Sequence, residues 1–207
     1  MAMPFETTGY MTTATRVLFD PLSYVNAQRL RLPRALDTPR QRAVVNRLLL
    51  GTLPDERQAM SIRRHPLLAH WERLPYICVL IGAQRLKSQL AWGGRSLRLP
   101  AVVRRFMVVP LAQAVAPEQG AAVSRPWETA AGPLARKELL LAVQHAGLSC
   151  LLDWQRQAPA LLLDRLRLLF PPQLDGCFEA DRRPLQTTDL FLISQAIHYA
   201  QNHPYHV

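Results

Sequence analysis

Cysteine, glycine and acidic residues are all scarce in this 207-residue chain. It contains three Cys and nine Gly, and 15 Asp+Glu stand against 25 Lys+Arg. No two cysteines have C-x-x-C spacing, which excludes a disulfide framework and a thiolate zinc site. The few glycines and the 17 prolines follow no repeat, which excludes collagen-like and low-complexity scaffolds. We therefore expect Cys78, Cys150 and Cys177 to be buried thiols in a reducing cytoplasm.

Long apolar runs are also missing. The longest strongly apolar stretch without a charge is 139–152, which Gln144 and His145 interrupt, and it is too short to cross a membrane. The first 15 residues contain no Lys or Arg and no apolar run of a signal peptide's length. We predict a protein that stays in the cytoplasm where it is made.

The chain lacks the common catalytic motifs, since no phosphate-binding loop, dinucleotide fingerprint, H-E-x-x-H or G-x-S-x-G is present. The sequence 93–96, Gly-Gly-Arg-Ser, is typical of an interhelix turn, with anion binding at a helix start as the less favoured reading. His198, His203 and His206 do not share one helix face, as a metal site there would require. We expect no catalytic residue, no cofactor and no metal ion.

The net charge of +10 suggests an acidic partner, which could be nucleic acid, an anionic membrane face or an acidic protein. A nucleic-acid arm would typically show a run of basic residues, but here the cations are scattered, and all except Lys87 and Lys137 are Arg. We interpret most of them as solvated helix faces with some partner contacts.

The hydrophobic pattern predicts an all-α protein, with a flexible tail over residues 1–15 and one multi-helix domain over 16–207. Leucine is the most frequent residue, and no convincing period-2 strand pair is visible. Thr38 and Pro39 begin a helix that ends at Gly51, with Val44, Val45, Leu48 and Leu49 on one face. A second helix is expected from Pro54 to Arg64. Further helices are expected over 66–92 (kinked or split at Pro75), 100–116, 133–157, 160–170 and from Thr187 or Thr188 to about 201, with the longest loop over 117–133.

The segment 133–157 gives the strongest helix prediction. Its solvent stripe is expected at Glu138, His145, Ser149, Asp153 and Arg156, and its buried face at Leu140, Leu141, Leu148, Leu151 and Leu152. The tryptophans at 71, 92, 127 and 154 are scattered, so we assign them to core or boundary packing rather than to a base-stacking platform.

Three stretches carry a family resemblance. The first is Phe19-Asp20-Pro21-Leu22-Ser23-Tyr24-Val25, followed by Arg29-Leu30 and Leu32-Pro33; the second is the helix 67–90 followed by 100–114; the third is 147–154, then 160–168 and Pro171-Pro172. Over residues 17–172 the chain resembles the SctK group (YscK, PscK), accessory proteins of bacterial type III secretion systems.

The resemblance implies a cytosolic, non-enzymatic, helical adaptor of the sorting platform, recruited to the cytoplasmic side of the inner membrane. Such a protein would link the cytoplasmic domain of an SctD-like inner-membrane ring protein to an SctQ-like pod protein, and through it indirectly to the ATPase complex. As partner-binding residues we propose three exposed pairs, Arg63 with Arg64, Arg104 with Arg105, and Arg165 with Arg167. The alternative is a basic helical regulator that binds nucleic acid through such arginines.

Overall fold

The structure, a computed structural model, describes residues 7–51, 53–110, 135–182, 184 and 186–205. These residues contain ten α-helices joined by short 3-10 helices and turns, and no strand, which confirms the all-α prediction. The helices are α1 Thr7–Phe19, α2 Pro39–Leu50, α3 Glu56–Arg63, α4 Leu74–Arg85, α5 Lys87–Ala91, α6 Ala101–Val108, α7 Arg136–Trp154, α8 Ala160–Leu169, α9 Gly176–Glu179 and α10 Thr187–Asn202.

The chain forms two compact units. The first comprises the described residues of Met1–Glu72 together with Gln157–Glu179, and the second comprises those of Arg73–Arg156 and Ala180–Val207. The single domain over 16–207 stays a prediction. The loop expected over 117–133 lies outside the described residues, as does the beginning of the expected tail.

Helix α1 starts at Thr7, earlier than the tail boundary expected at residue 15. Ala14, Val17 and Leu18 are buried at the three- and four-residue spacing of one helix face. That face packs within the first unit, mainly against α3. The buried residues of α1 therefore lie in its last two turns.

Helix α2 has the predicted ends. Thr38 Oγ1 accepts a hydrogen bond from the Gln41 backbone N–H at 3.4 Å, and Pro39 occupies the first helical position. The helix ends at Gly51, whose φ of 58° suits a residue without a Cβ.

The apolar face of α2 is only partly buried. Val44 and Leu48 are 60% and 76% exposed, whereas Leu50 at the end of the helix is buried. Val45 and Leu49 are half-buried, so the buried side of α2 is rotated away from Val44 and Leu48.

Local capping also sets the start of α3. Asp55 accepts a hydrogen bond from the Gln58 backbone N–H at 2.7 Å, and the Gln58 side chain accepts one from the Asp55 N–H at 3.1 Å. This reciprocal pair is a capping box. It starts the helix at Glu56, two residues after the expected Pro54.

The core of the second unit is built on α4, which is buried on almost every side. The helix follows a 3-10 helix, Pro66–Arg73, and Pro75 lies in its first turn, where a missing N–H is tolerated. Proline thus splits the predicted 66–92 helix instead of kinking it. Helix α4 packs chiefly against α7, and also against α6 and α10.

The predicted faces of α7 are confirmed at most positions. Leu148, Leu151 and Leu152 are fully buried, and Glu138 and His145 are exposed. Four positions differ from the prediction, since each is half-buried: Ser149 and Asp153, expected in solvent, and Leu140 and Leu141, expected in the core.

The prediction for the tryptophans is confirmed at Trp71 and wrong at Trp92. Trp71 is buried, whereas Trp92 is 79% exposed. Gly93 and Gly94 follow Trp92 directly with φ of 61° and 65°, so the chain turns there as predicted and leaves the indole outside. Trp154 is half-buried, and Trp127 lies outside the described residues.

Candidate partner-binding surfaces

Two of the three predicted arginine pairs are exposed. Arg63 ends α3 and Arg64 caps it, while Arg104 and Arg105 lie on α6. Within the part of the chain that the structure describes, none of these four guanidinium groups forms an ion pair or hydrogen bond. Their exposure is as predicted, and their role in partner binding stays a prediction.

The expected exposure of Arg165 is wrong. Its side chain is only 2% exposed, and its Nη1 donates a hydrogen bond to the carbonyl oxygen of Leu50 at 3.0 Å. Leu50 is the last residue of α2, where backbone carbonyls lack a partner inside the helix. Desolvation lowers the pKa of Arg165. The residue therefore caps α2 from inside the first unit and presents no charge outward.

Arg167 is half-buried in a cluster of charges around Asp175. Its Nη2 pairs with Glu179 at 2.6 Å, and its Nε lies 3.6 Å from Asp175 Oδ1. Arg29 donates to both carboxylate oxygens of Asp175, and its Nε donates to the carbonyl oxygen of Phe170 at 2.6 Å. Hydrogen bonding from Arg29 lowers the pKa of Asp175. This cluster ties the segment after Tyr24 to the end of α8, a role that sequence reasoning missed because 146 positions separate its two central residues.

The N-terminal element of the family resemblance is also structural. The Asn46 side chain donates to Asp20 Oδ1 at 2.7 Å and accepts from the Leu22 N–H at 2.9 Å. The Tyr24 hydroxyl donates to the carbonyl oxygen of Val17 at 2.9 Å, and its ring lies edge-on to Trp71 with centroids 5.5 Å apart. The element therefore fixes α1 against α2 and supplies no reactive group.

The cysteines are buried thiols, as predicted. Burial raises the pKa of Cys150 to about 12, and its Sγ lies 3.7 Å from Asp189 Oδ1, which also pairs with Arg85 at 3.2 Å. A thiol held protonated in this way is a poor nucleophile at neutral pH. Among the described residues, no three His, Cys, Asp or Glu side chains come close enough to hold a metal ion.

None of the helices in the described part of the chain is long and apolar enough to span a membrane. The six predicted arginines fall in both units, since Arg104 and Arg105 belong to the second and the other four to the first. Each exposed pair is therefore considered within its own unit.

Comparisons with known proteins give one consistent family. A family model described as a bacterial type III secretion apparatus protein (OrgA_MxiK) matches residues 14–202. The oxygen-regulated invasion protein OrgA of Salmonella typhimurium, in strains SL1344 and LT2, is 29% identical over 194 residues, covering 91% of this chain and 87% of that protein. No solved structure matches significantly. Because the family model spans nearly the whole sequence, the resemblance inferred from the residues is confirmed, and the chain belongs to the OrgA_MxiK family of bacterial type III secretion apparatus proteins.

Proposed function

We propose that this protein is a non-enzymatic adaptor of the type III secretion sorting platform. It would link the cytoplasmic domain of an SctD-like inner-membrane ring protein to an SctQ-like pod protein, and indirectly reach the ATPase complex. It would act in the cytoplasm, recruited to the inner face of the inner membrane. The family match over residues 14–202 is the observation that carries the proposal, because a component of an apparatus works through protein partners.

The surface chemistry supports a connector. Arg63, Arg64, Arg104 and Arg105 are exposed and unpaired among the described residues. Arginine is enriched at protein interfaces, since its planar fork pairs with carboxylates and its stem packs on apolar surface. We therefore keep these four, and the half-buried Arg167, as proposed partner contacts. Arg165 is left out because its guanidinium is buried.

Co-purification tests the proposal. The tagged chain is expected to retain the cognate ring protein's cytoplasmic domain and the cognate pod protein in one complex. Reversing the charges in Arg63→Glu/Arg64→Glu or in Arg104→Glu/Arg105→Glu should weaken retention of at least one of them. The double substitution Arg136→Glu/Lys137→Glu is a matched control, because it reverses two exposed charges at the start of α7, where carboxylates suit the helix dipole.

Two results would contradict the adaptor. One is a wild-type chain that retains neither protein. The other is binding of duplex DNA with a steep salt dependence in place of those proteins, which is the behaviour expected of the alternative nucleic-acid regulator.

A further inference from the structure

The outward face of α2 carries an apolar row that the described residues leave uncovered. Val44 and Leu48 are four residues apart, so they are neighbours along one side of the helix, and they are 60% and 76% exposed. The row holds no aromatic side chain. Exposing two adjacent aliphatic side chains to water is unfavourable, and a partner that buried them would gain binding free energy.

Arg40 and Arg47 flank this row on one side. At 100° per residue, Arg40, Val44 and Leu48 follow each other at four-residue steps. Arg47 has nearly the same angular position as Arg40 but lies two turns further along the helix. Both arginines are exposed, and within the described residues neither side chain forms an ion pair or hydrogen bond. Arg42 differs, because it pairs with Asp37 at 2.9 Å and lies 3.8 Å from Asp20.

The surrounding segment has the same excess of positive charge. From residue 29 to residue 64 the sequence contains nine Arg and three acidic residues. Of those acids, Asp37 is already paired with Arg42, and Asp55 caps α3. The charge next to the apolar row is therefore not neutralised by its own segment, and a carboxylate-bearing ligand would complement it.

We propose that Arg40, Val44, Arg47 and Leu48, here called the α2 face, dock an acidic amphipathic helix of a protein partner in the apparatus. Aliphatic side chains of the partner helix would cover Val44 and Leu48, and its flanking carboxylates would pair with Arg40 and Arg47. Phosphate groups of nucleic acid would use the arginines but leave Val44 and Leu48 exposed, and a bilayer anchor usually carries Trp or Phe on its apolar side. The proposal rests on the proposed adaptor function and specifies one of its docking surfaces.

Two double variants separate the apolar and the charged parts of the α2 face. Val44→Ser/Leu48→Ser is expected to weaken the affinity for one cognate protein, the pod protein or the ring protein's cytoplasmic domain, about tenfold or more. Arg40→Glu/Arg47→Glu should weaken the same complex and flatten its salt dependence. Controls are Leu97→Ser, which replaces a leucine 71% exposed on the second unit, and Arg136→Glu/Lys137→Glu.

Binding of each purified variant to each cognate protein is measured by calorimetric titration at low and at moderate salt. Unfolding midpoints are measured to show that every variant folds. Wild-type affinity in both α2 variants would overturn the proposal. Weakening of only one variant would also overturn it, because the proposed helix needs both the apolar and the charged contacts.

A second measurement distinguishes this proposal from the adaptor function. If the wild type binds neither cognate protein, the proposed adaptor function is wrong. Whether the α2 face docks a partner is then tested by a photo-crosslinker placed at position 48 in secreting cells, with position 97 as the control. An adduct at position 48 with an acidic helical segment of another apparatus protein would support the docking surface. The proposal would be overturned by the absence of an adduct or by an adduct with a second copy of this chain. It would also be overturned if the chain bound anionic phospholipid vesicles or duplex DNA and only the Val44→Ser/Leu48→Ser variant lost that binding.

Discussion

Gly82 of α4 and Gly147 of α7 face each other where the two helices cross. A methyl group on Gly82 would lie 1.8 Å from the carbonyl oxygen of Val143, and one on Gly147 would lie 1.8 Å from the carbonyl oxygen of Cys78. Both obstacles are backbone atoms of the opposite helix, which cannot rotate aside as a side chain can. The absence of two Cβ atoms therefore lets α4 and α7 approach closely, and this contact is the centre of the second unit.

We predict that Gly82→Ala and Gly147→Ala each destabilise the protein. The helices must separate to admit the methyl group, and such overpacking costs about 1–3 kcal/mol or more. Gly176→Ala is the control, since nothing lies within 4 Å of a methyl group there; its effect should stay within about 1 kcal/mol. Urea unfolding followed by circular dichroism measures the three variants, and equal stability for all of them would show that the crossing is not as close as described.

The two sides of α7 give a second prediction. Leu151→Ala removes a fully buried side chain and is expected to lower the free energy of unfolding by about 2–5 kcal/mol. Lys137→Ala, on the exposed first turn, should change it by no more than about 0.5 kcal/mol. Similar losses for the two variants would mean that the buried face of α7 is misplaced.

Arg165 gives a third prediction, in which a charged residue behaves as a core residue. Arg165→Ala should destabilise by about 2–5 kcal/mol, because it leaves a cavity and takes away the donor to the Leu50 carbonyl. Arg165→Met restores most of the volume and leaves the carbonyl without that donor, so a loss of about 1–3 kcal/mol should remain. The exposed Arg63→Ala should change stability by about 0.5 kcal/mol at most. Thermal unfolding of the three variants checks this order, and an Arg165→Ala variant as stable as Arg63→Ala would contradict it.

The features that could be predicted from the sequence are those set by neighbouring residues. The Thr38 cap and the Gly51 end of α2 depend on residues within one helical turn of each other, and the sequence shows them directly. Three-residue and four-residue spacing likewise identifies the buried side of α7, because one face of a long helix must be covered. The turn at Gly93 and Gly94 can be predicted for the same local reason.

The features that could not be predicted depend on residues far apart in the chain. Arg165 looks like a surface residue of an amphipathic helix, but it is buried and donates a hydrogen bond to Leu50, 115 positions away. Val44 and Leu48 look like core residues by their periodicity, but the side of α2 that packs is set by Pro21–Ser23 and α1. The α2 face was missed because an exposed apolar row and a buried one have the same sequence pattern.

The charge cluster around Asp175 gives the last prediction, which concerns pH. Hydrogen bonds from Arg29 hold the pKa of Asp175 below its usual value, which is about 3.9 in an unfolded chain. The cluster therefore makes its full contribution to the free energy of unfolding above pH ~4. This contribution is lost as the pH falls further and Asp175 becomes protonated in the folded protein. Because the carboxylate is 35% exposed, solvent screens the pair and the contribution should be modest.

Asp175→Asn tests this account, since it keeps the shape of the side chain and removes its charge. The variant should be less stable than the wild type at pH 7, and the difference should shrink as the pH falls from about 4 toward 2. Added salt should reduce the difference at pH 7. Asp181→Asn is the matched control, because Asp181 is exposed and forms no ion pair among the described residues. Urea unfolding at a series of pH values measures the stability of both variants. A difference in the free energy of unfolding between wild type and Asp175→Asn that stays constant from pH 7 to pH 2 would show that the charge of Asp175 does not stabilise the first unit.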